Sequence, residues 1–316
     1  MKKCLIVTKN KSLPGDERSM VEKLAKICEV EVVSTSQMIA HQKTYSDPAL
    51  YHALVVFGGD GSILKAVSIC TPKKEIGDSP SYIDKLGDEH VRMYVKSEEN
   101  TQAENAGTLL PPVFAFDYST RGRLCNIRKP AFKEAEEGLL SYVKKKASFE
   151  DTEDVRSWSI RRSRFVVNQS VASLNEIYIF CSEKGFIDVF EVYIDEHCVF
   201  NSIRCDGVII CTSSGSSGYN SSANGPVVHS DLECVVLTTV CSPDKKVPSI
   251  VIDSSRKITV KSKNRYKKLA AVIDGCLRVE EYSFVVERME KGDVYFADFG
   301  EDRAHRDFLA SLQETP

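Results

Sequence analysis

Ala53-Leu54-Val55-Val56-Phe57-Gly58-Gly59-Asp60-Gly61-Ser62-Ile63-Leu64-Lys65-Ala66-Val67 is an apolar run that stops at three glycines and one carboxylate, then resumes at helical spacing. The pattern predicts strand, tight turn and helix. Five unbroken apolar residues from Ala53 suit a strand covered on both faces of a parallel sheet, and the glycines are expected to supply positive φ. Ser62 is the expected helix cap. Such a turn gathers backbone N–H groups at a helix N-terminus, a ready site for phosphate. A carboxylate there repels phosphate, so Asp60 suits a cation, or the proton of a hydroxyl attacking phosphorus. A plain strand-to-helix turn with a surface Asp is the other reading.

Upstream, Cys4 to Thr8 reads as a strand and Asp16 to Cys28 as an amphipathic helix with Met20, Leu24 and Ile27 on one face. Val30 to Val33 reads as a second strand, so the chain opens as βαβ. With the strand before Asp60, this is the alternation of a doubly wound sheet, in which ligands bind at strand C-terminal ends. That places Asp60 at the ligand end.

From Thr71 to Pro112 the apolar periodicity fades and an insertion is expected. Pro112 to Phe116 restores a strand and Lys133 to Lys146 a helix. Beyond Val155 the chain turns to short alternating runs: Trp158 to Ile160, Arg164 to Val167, Ile177 to Phe180, Phe190 to Ile194, Val208 to Cys211, Val235 to Thr239, Lys257 to Val260 and Val279 to Val286. The expected organisation is an α/β domain over 1–150 with a parallel sheet, the 71–112 insertion within it, and a mainly β domain over 151–316. The boundary falls near Glu150-Asp151-Thr152, and Ala304 to Leu312 would close the chain with a short helix.

The 316 residues are 42% apolar and 28% charged, a globular balance, with 42 Lys and Arg against 45 acidic residues. No charge excess points to nucleic acid or a membrane surface. The eleven cysteines form no Cys-x-x-Cys pair and several sit in apolar runs, which suits reduced core thiols. The start lacks the apolar core of a signal peptide and no run reaches membrane-spanning length, so a cytoplasmic protein is the expectation. The histidines show no metal-ligand spacing and there is no Gly-x-Ser-x-Gly elbow.

Two further stretches carry chemistry. Cys205 to Pro226 runs from an apolar strand into a Gly/Ser tract broken by Tyr219. It is either a flexible linker or a loop whose hydroxyls and N–H groups bind sugar or amide oxygens while Tyr219 packs on a base. Asn175-Glu176 begins a strand; Glu can accept from two ribose hydroxyls, although a capping or turn role is the alternative. The basic cluster from Arg256 to Lys268 alternates with apolar residues as an exposed hairpin would.

In order, these stretches resemble the NAD kinase family, whose landmarks are a Gly-Gly-Asp-Gly turn, an Asn-Glu pair and an Asp-Gly strand leading into a Gly/Ser/Thr-Tyr loop. Here they are Gly58 to Gly61, Asn175-Glu176 and Asp206 to Gly225; Ala115-Phe116, Tyr193-Ile194-Asp195 and Asp274-Gly275 also fall where the family has similar residues. The resemblance implies an α/β nucleotide-kinase domain followed by a β-rich domain. It implies ATP-dependent phosphorylation of the adenosine 2′-hydroxyl of NAD, or of NADH, with Asp60 as the catalytic residue.

By the same match Gly58, Gly59, Gly61 and Ser62 would contact the ATP phosphates, with Mg2+ held largely by the triphosphate. Asn175 and Glu176 would take the NAD ribose and base region, Asp206 the nicotinamide end, and Ser217, Gly218, Tyr219 and Ser222 the adenosine or amide groups. A homodimer or homotetramer is implied as well. The chain departs from the family at Arg123, where an aromatic is expected beside the substrate. It also departs at Ser242-Pro243-Asp244-Lys245-Lys246, where a Pro-His-Ser type segment is expected, and at Ser213 and Gly218, where Pro and Ala are common. A non-catalytic NAD(P) sensor and a lipid kinase are the rival readings.

Overall fold

The computed structural model describes residues 2–9, 13, 15–71, 81–82, 91–92, 110–119, 123–125, 127–148, 158–183, 187–243 and 247–299. The expected terminal helix, the boundary near Glu150, residues 120–122 and 244–246, and nearly all of the 71–112 insertion lie outside them. The described residues of Met1–Pro72, Ala103–Arg162 and Lys291–Asp307 make one compact unit, and those of Lys73–Gln102 and Ser163–Glu290 the other.

The first unit is an α/β layer. Its strands Glu29–Ser34, Lys3–Thr8, Tyr51–Gly58, Val113–Asp117, Val294–Ala297 and Ser159–Arg162 lie in that order. All neighbours are parallel except the last pair. Apolar residues fill both faces of the central strands because both faces are covered. On one face Cys4, Ile6, Ala53, Val55, Phe114 and Phe116 form a core with Met20 and Leu24 of helix Gly15–Ala25 and with Ala135, Leu139 and Val143 of helix Phe132–Ala147. The opposite face carries Leu5, Val7, Leu54 and Val56, all buried, and helix Asp60–Cys70 packs on these strands. Each fully buried side chain of this kind contributes ~1.5–3 kcal/mol. A short helix, Thr35–Ala40, begins with a capping box in which Ser34 and Gln37 satisfy each other's backbone N–H.

The second unit is made of antiparallel sheets. One orders its strands Ile250–Asp253, Cys234–Val240, Gly207–Thr212, Glu176–Cys181, Leu269–Ile273 and Leu277–Glu281, with the two-residue strands Ser81–Tyr82 and Val91–Arg92 at its far edge. The other orders His197–Cys205, Asp188–Ile194, Ile258–Ser262, Ser283–Arg288, Phe165–Val167 and Val171–Ser173. The expected run Val279 to Val286 is thus two strands in different sheets, broken at Tyr282. The basic cluster is not a hairpin: Ile258–Ser262 and Leu269–Ile273 also lie in different sheets, with Lys263, Arg265, Lys267 and Lys268 on the crossing chain and Arg256 and Lys257 ahead of the first strand. Asp195 binds Arg256, and Lys267 meets Glu183.

All eleven cysteines are free; Cys198 and Cys241 are exposed, whereas eight are buried. Cys28 and buried Cys4 bring their sulfurs to 3.5 Å. Their contact, with burial added, pushes Cys4 up and draws the Cys28 thiol below its ordinary value. Iodoacetamide labelling followed by peptide mass mapping should therefore show Cys28 reaching half-maximal rate at a lower pH than an ordinary thiol. In Cys4→Ala the half-point should rise toward the ordinary ~8.5; an unchanged profile would refute the pairing.

Candidate functional site

In the first unit Asp60 opens helix Asp60–Cys70 directly after strand Tyr51–Gly58, at the strand's C-terminal end. Gly59 is the cap residue, in extended conformation, with no side-chain capping bond. Ser62 is not the cap: it sits inside the first turn, its N–H donating to the Gly59 carbonyl at 2.9 Å and its side chain buried. Nor does the turn use positive φ, since Gly275 is the glycine with positive φ among the described residues. Gly58 and Gly59 serve close approach instead, whereas a Cβ on Gly61 would meet nothing within 4 Å among the described residues. A Cβ on Gly58 would lie 2.7 Å from Ser62 Oγ, and one on Gly59 3.0 Å from Ser119 Cβ.

The Asp60 carboxylate is held by the loop that follows strand Val113–Asp117. Oδ1 accepts the N–H groups of Arg123, Leu124 and Cys125 at 3.0, 2.9 and 3.3 Å, and Oδ2 accepts that of Arg123 at 2.9 Å. Burial pushes the carboxyl above its ordinary range; the N–H bonds oppose this, and nearby Asp117 adds to it. At position 123 the contribution to Asp60 comes from the backbone N–H. Among the described residues Oδ2 accepts a single bond, which leaves it a lone pair for a ligand hydroxyl.

In the second unit the site gathers around a residue that the sequence names only as a family match, without a role. Asp274 and Gly275, with φ of +51° and +63°, form the turn between strands Leu269–Ile273 and Leu277–Glu281, closed by Cys276 N–H to the Ile273 carbonyl at 3.0 Å. Positive φ at both centres is the hairpin geometry that Asp-Gly favours. The Asp274 carboxylate is buried. Oδ1 accepts from Ser173 Oγ at 2.8 Å, Asn175 N–H at 2.7 Å and Glu176 N–H at 3.1 Å, while Oδ2 accepts from Leu174 N–H at 2.8 Å. The Asp-Gly dipeptide between two apolar runs signalled the turn; its grip on 173–176 had no local signal.

Asn175 and Glu176 start their strand as expected. Asn175 Oδ1 and Glu176 Oε2 are buried without a hydrogen-bond partner among the described residues. Burial, then the neighbouring Asp274 charge, pushes Glu176 up to about 8. A group that buries an unsatisfied oxygen pays for it, unless a ligand supplies the donor.

The Gly/Ser tract is an ordered loop, not a linker. It forms a 3-10 turn at Ser214–Ser217 and one helical turn at Tyr219–Ser222. Buried Asn220 pins it, donating to the Ser216 and Pro226 carbonyls at 2.9 Å each and accepting from Thr238 Oγ1 at 2.7 Å. Gly215 lies so close that a Cβ would overlap the Asn175 carbonyl, 2.5 Å from its carbon. Gly218 faces Glu176 Oε2. Tyr219 is exposed and meets Tyr178 edge-on, with centroids 5.2 Å apart. Tyr178, a residue the sequence reading passed over, also stacks on Phe180 at 4.9 Å. Ser217 is half-buried, Ser222 and Asp206 exposed. The fold therefore brings Asn175, Glu176, Gly218 and Tyr219 to one loop and strand start, and Asp206 to the opposite end of strand Gly207–Thr212.

Among the described residues no three His, Cys, Asp or Glu side chains come together as a metal site, and no described helix is long and apolar enough to cross a membrane.

Residues 174–296 match the ATP-NAD kinase C-terminal domain family. A NAD kinase of Clostridium kluyveri is 38% identical over 102 residues, which is 32% of this chain and 36% of that protein. The chain thus spans about a third of that relative's length. The fold matches an NAD kinase from Archaeoglobus fulgidus in complex with ATP, with TM-score 0.64 and 21% identity over 99% of this chain and all of that one. It also matches yeast NADH kinase complexed with NADH, with TM-score 0.65 and 18% identity over 99% and 87%. Residues 174–296 thus match the ATP-NAD kinase C-terminal domain, and the fold of the chain is that of the solved NAD and NADH kinases.

Proposed function

We propose that the protein transfers the γ-phosphoryl group of ATP to the adenosine 2′-hydroxyl of NAD, giving NADP and ADP. The observation that carries this reading is the pair of buried, unpartnered oxygens on Asn175 and Glu176, held on a fixed backbone. Ribose hydroxyls and a base amino group are the donors that would complete them. The relatives' names and the family domain around the pair support the same ligand.

In this reading Asp60 accepts the proton of the 2′-hydroxyl through Oδ2 as the oxygen attacks the γ-phosphorus and the bond to the bridging oxygen of ADP breaks. Burial makes its carboxylate a stronger base than an exposed one. Gly58, Gly59, Gly61 and Ser62 border the phosphate path, where the helix N-terminus favours negative charge. Magnesium enters as the counter-ion of the ATP substrate and neutralises its phosphates. Asp206 takes the nicotinamide end, and Ser217, Tyr219 and Ser222 the adenosine or amide groups. Gly218 leaves room at Glu176. We place the protein, on the family resemblance and its reduced thiols, as a homodimer or homotetramer in the cytoplasm.

The test is NADP formation from NAD by the purified protein with ATP and magnesium, read through an NADP-specific dehydrogenase. NADP accumulation is the expected outcome. Tight NAD binding with no NADP at any divalent ion would instead favour a sensor, a role to which the N–H bonds occupying Asp60 also lend themselves.

A further inference from the structure

We propose that Asp274 is the positioning residue of the candidate dinucleotide site in the second unit: its buried carboxylate fixes the backbone from Ser173 to Glu176 in the one arrangement that leaves the Asn175 and Glu176 side-chain oxygens buried and open to ligand donors. The inference rests on the NAD kinase reading.

Four donors converge on this carboxylate, three of them consecutive backbone N–H groups of residues 174 to 176. The backbone answers in kind, since the Asp274 N–H donates to the Glu176 carbonyl at 2.9 Å. A carboxylate accepting several N–H bonds is a strong, charge-assisted anchor. Its own place is set by a turn whose two central residues both have positive φ. Asn175 is further tied by its carbonyl, which accepts the Thr212 N–H at 2.9 Å. Strand Glu176–Cys181 therefore starts at a point gripped from both neighbouring strands.

The anchor also carries charge. The titratable groups facing Glu176 are Asp274, on the turn, and Cys211, its register partner on the neighbouring strand, whose thiol burial pushes up. Burial pushes the Asp274 carboxyl up too, but its four donors oppose this, whereas Glu176 Oε2 has none among the described residues, so the negative charge is favoured on Asp274 and Glu176 is the one held neutral. Removing that charge should let Glu176 ionise at lower pH.

The experiment compares wild type with Asp274→Asn, measuring the Kd for NAD by calorimetry, the KM for NAD and for ATP, and each across pH. Asn replaces one acceptor oxygen with an NH2 that faces N–H donors. We expect NAD binding at least tenfold weaker with the KM for ATP within twofold of wild type. The inflection in NAD binding, near pH 8 in wild type, should also move to lower pH. A merely loosened fold would lower the active fraction and leave the inflection where it was. Unchanged NAD binding in a folded Asp274→Asn protein, or an equal rise in both KM values, overturns the inference. Should circular dichroism show Asp274→Asn unfolded, Ser173→Ala removes a single donor; NAD binding weakened two- to fivefold is then expected, and unchanged binding overturns the inference. NADP formation by wild type alongside an unaffected variant defeats this inference alone, whereas NAD binding without NADP in wild type defeats the kinase reading alone.

Discussion

Asp60→Asn should lower ATP-dependent NADP formation by at least ~10²-fold, the lower end of what a general base and its positioning contribute. Two losses combine. The amide cannot take the hydroxyl proton, and it turns an NH2 toward a loop whose N–H groups converge on that carboxylate. The second loss makes the substitution visible outside turnover, as faster hydrogen exchange at Arg123 to Cys125. A mutant with near-normal rate would remove Asp60 from the chemistry and leave it the role of loop anchor.

Gly215→Ala should be the most damaging single methyl group in the second unit. Its Cβ would overlap the Asn175 carbonyl, which is backbone and already accepts the Thr212 N–H, so it cannot yield without dragging the Asn-Glu pair. Overpacking of this kind costs about 1–3 kcal/mol, and NAD binding should fall more than tenfold. Gly218→Ala is the milder change: its Cβ would lie 3.1 Å from Glu176 Oε2 and 3.2 Å from the Gly215 carbonyl oxygen, which need give by only a few tenths of an ångström. Thermal melts and NAD titrations of the two variants would separate them, and equal behaviour would show that the loop relaxes around Gly215.

The architecture was legible where one physical signal dominated. Val55 and Val56 are apolar because both faces of their strand are covered, and Leu139 and Val143 recur because a helix turns one face to that sheet. Strand His197–Cys205 escaped because most of it is exposed and bends away from alternation, with register shifts against its partner. Leu269–Ile273 escaped because its small residues follow a basic run that reads as surface. At the site, Asp60 and the Asn-Glu pair stood out as local motifs. Asp274 did not, because its role is a set of contacts to residues about a hundred positions away, and no local pattern encodes them. Gly58 and Gly59 were noticed for the wrong reason: they accommodate Ser62 and Ser119, not a left-handed backbone.

Strand Val294–Ala297 lies between Val113–Asp117 and Ser159–Arg162, although Ser163–Glu290 of the second unit separates it from both in sequence. During synthesis the first sheet therefore waits with an open slot. At ~5–20 residues per second the missing strand is made roughly 7 to 26 s after Arg162. Meanwhile Val113–Asp117 presents an unpaired, apolar edge of the kind that recruits foreign strands. The first unit is thus a clasp closed last, and a chain cut short before Val294 would retain most of that unit's sequence but be left with a sticky edge.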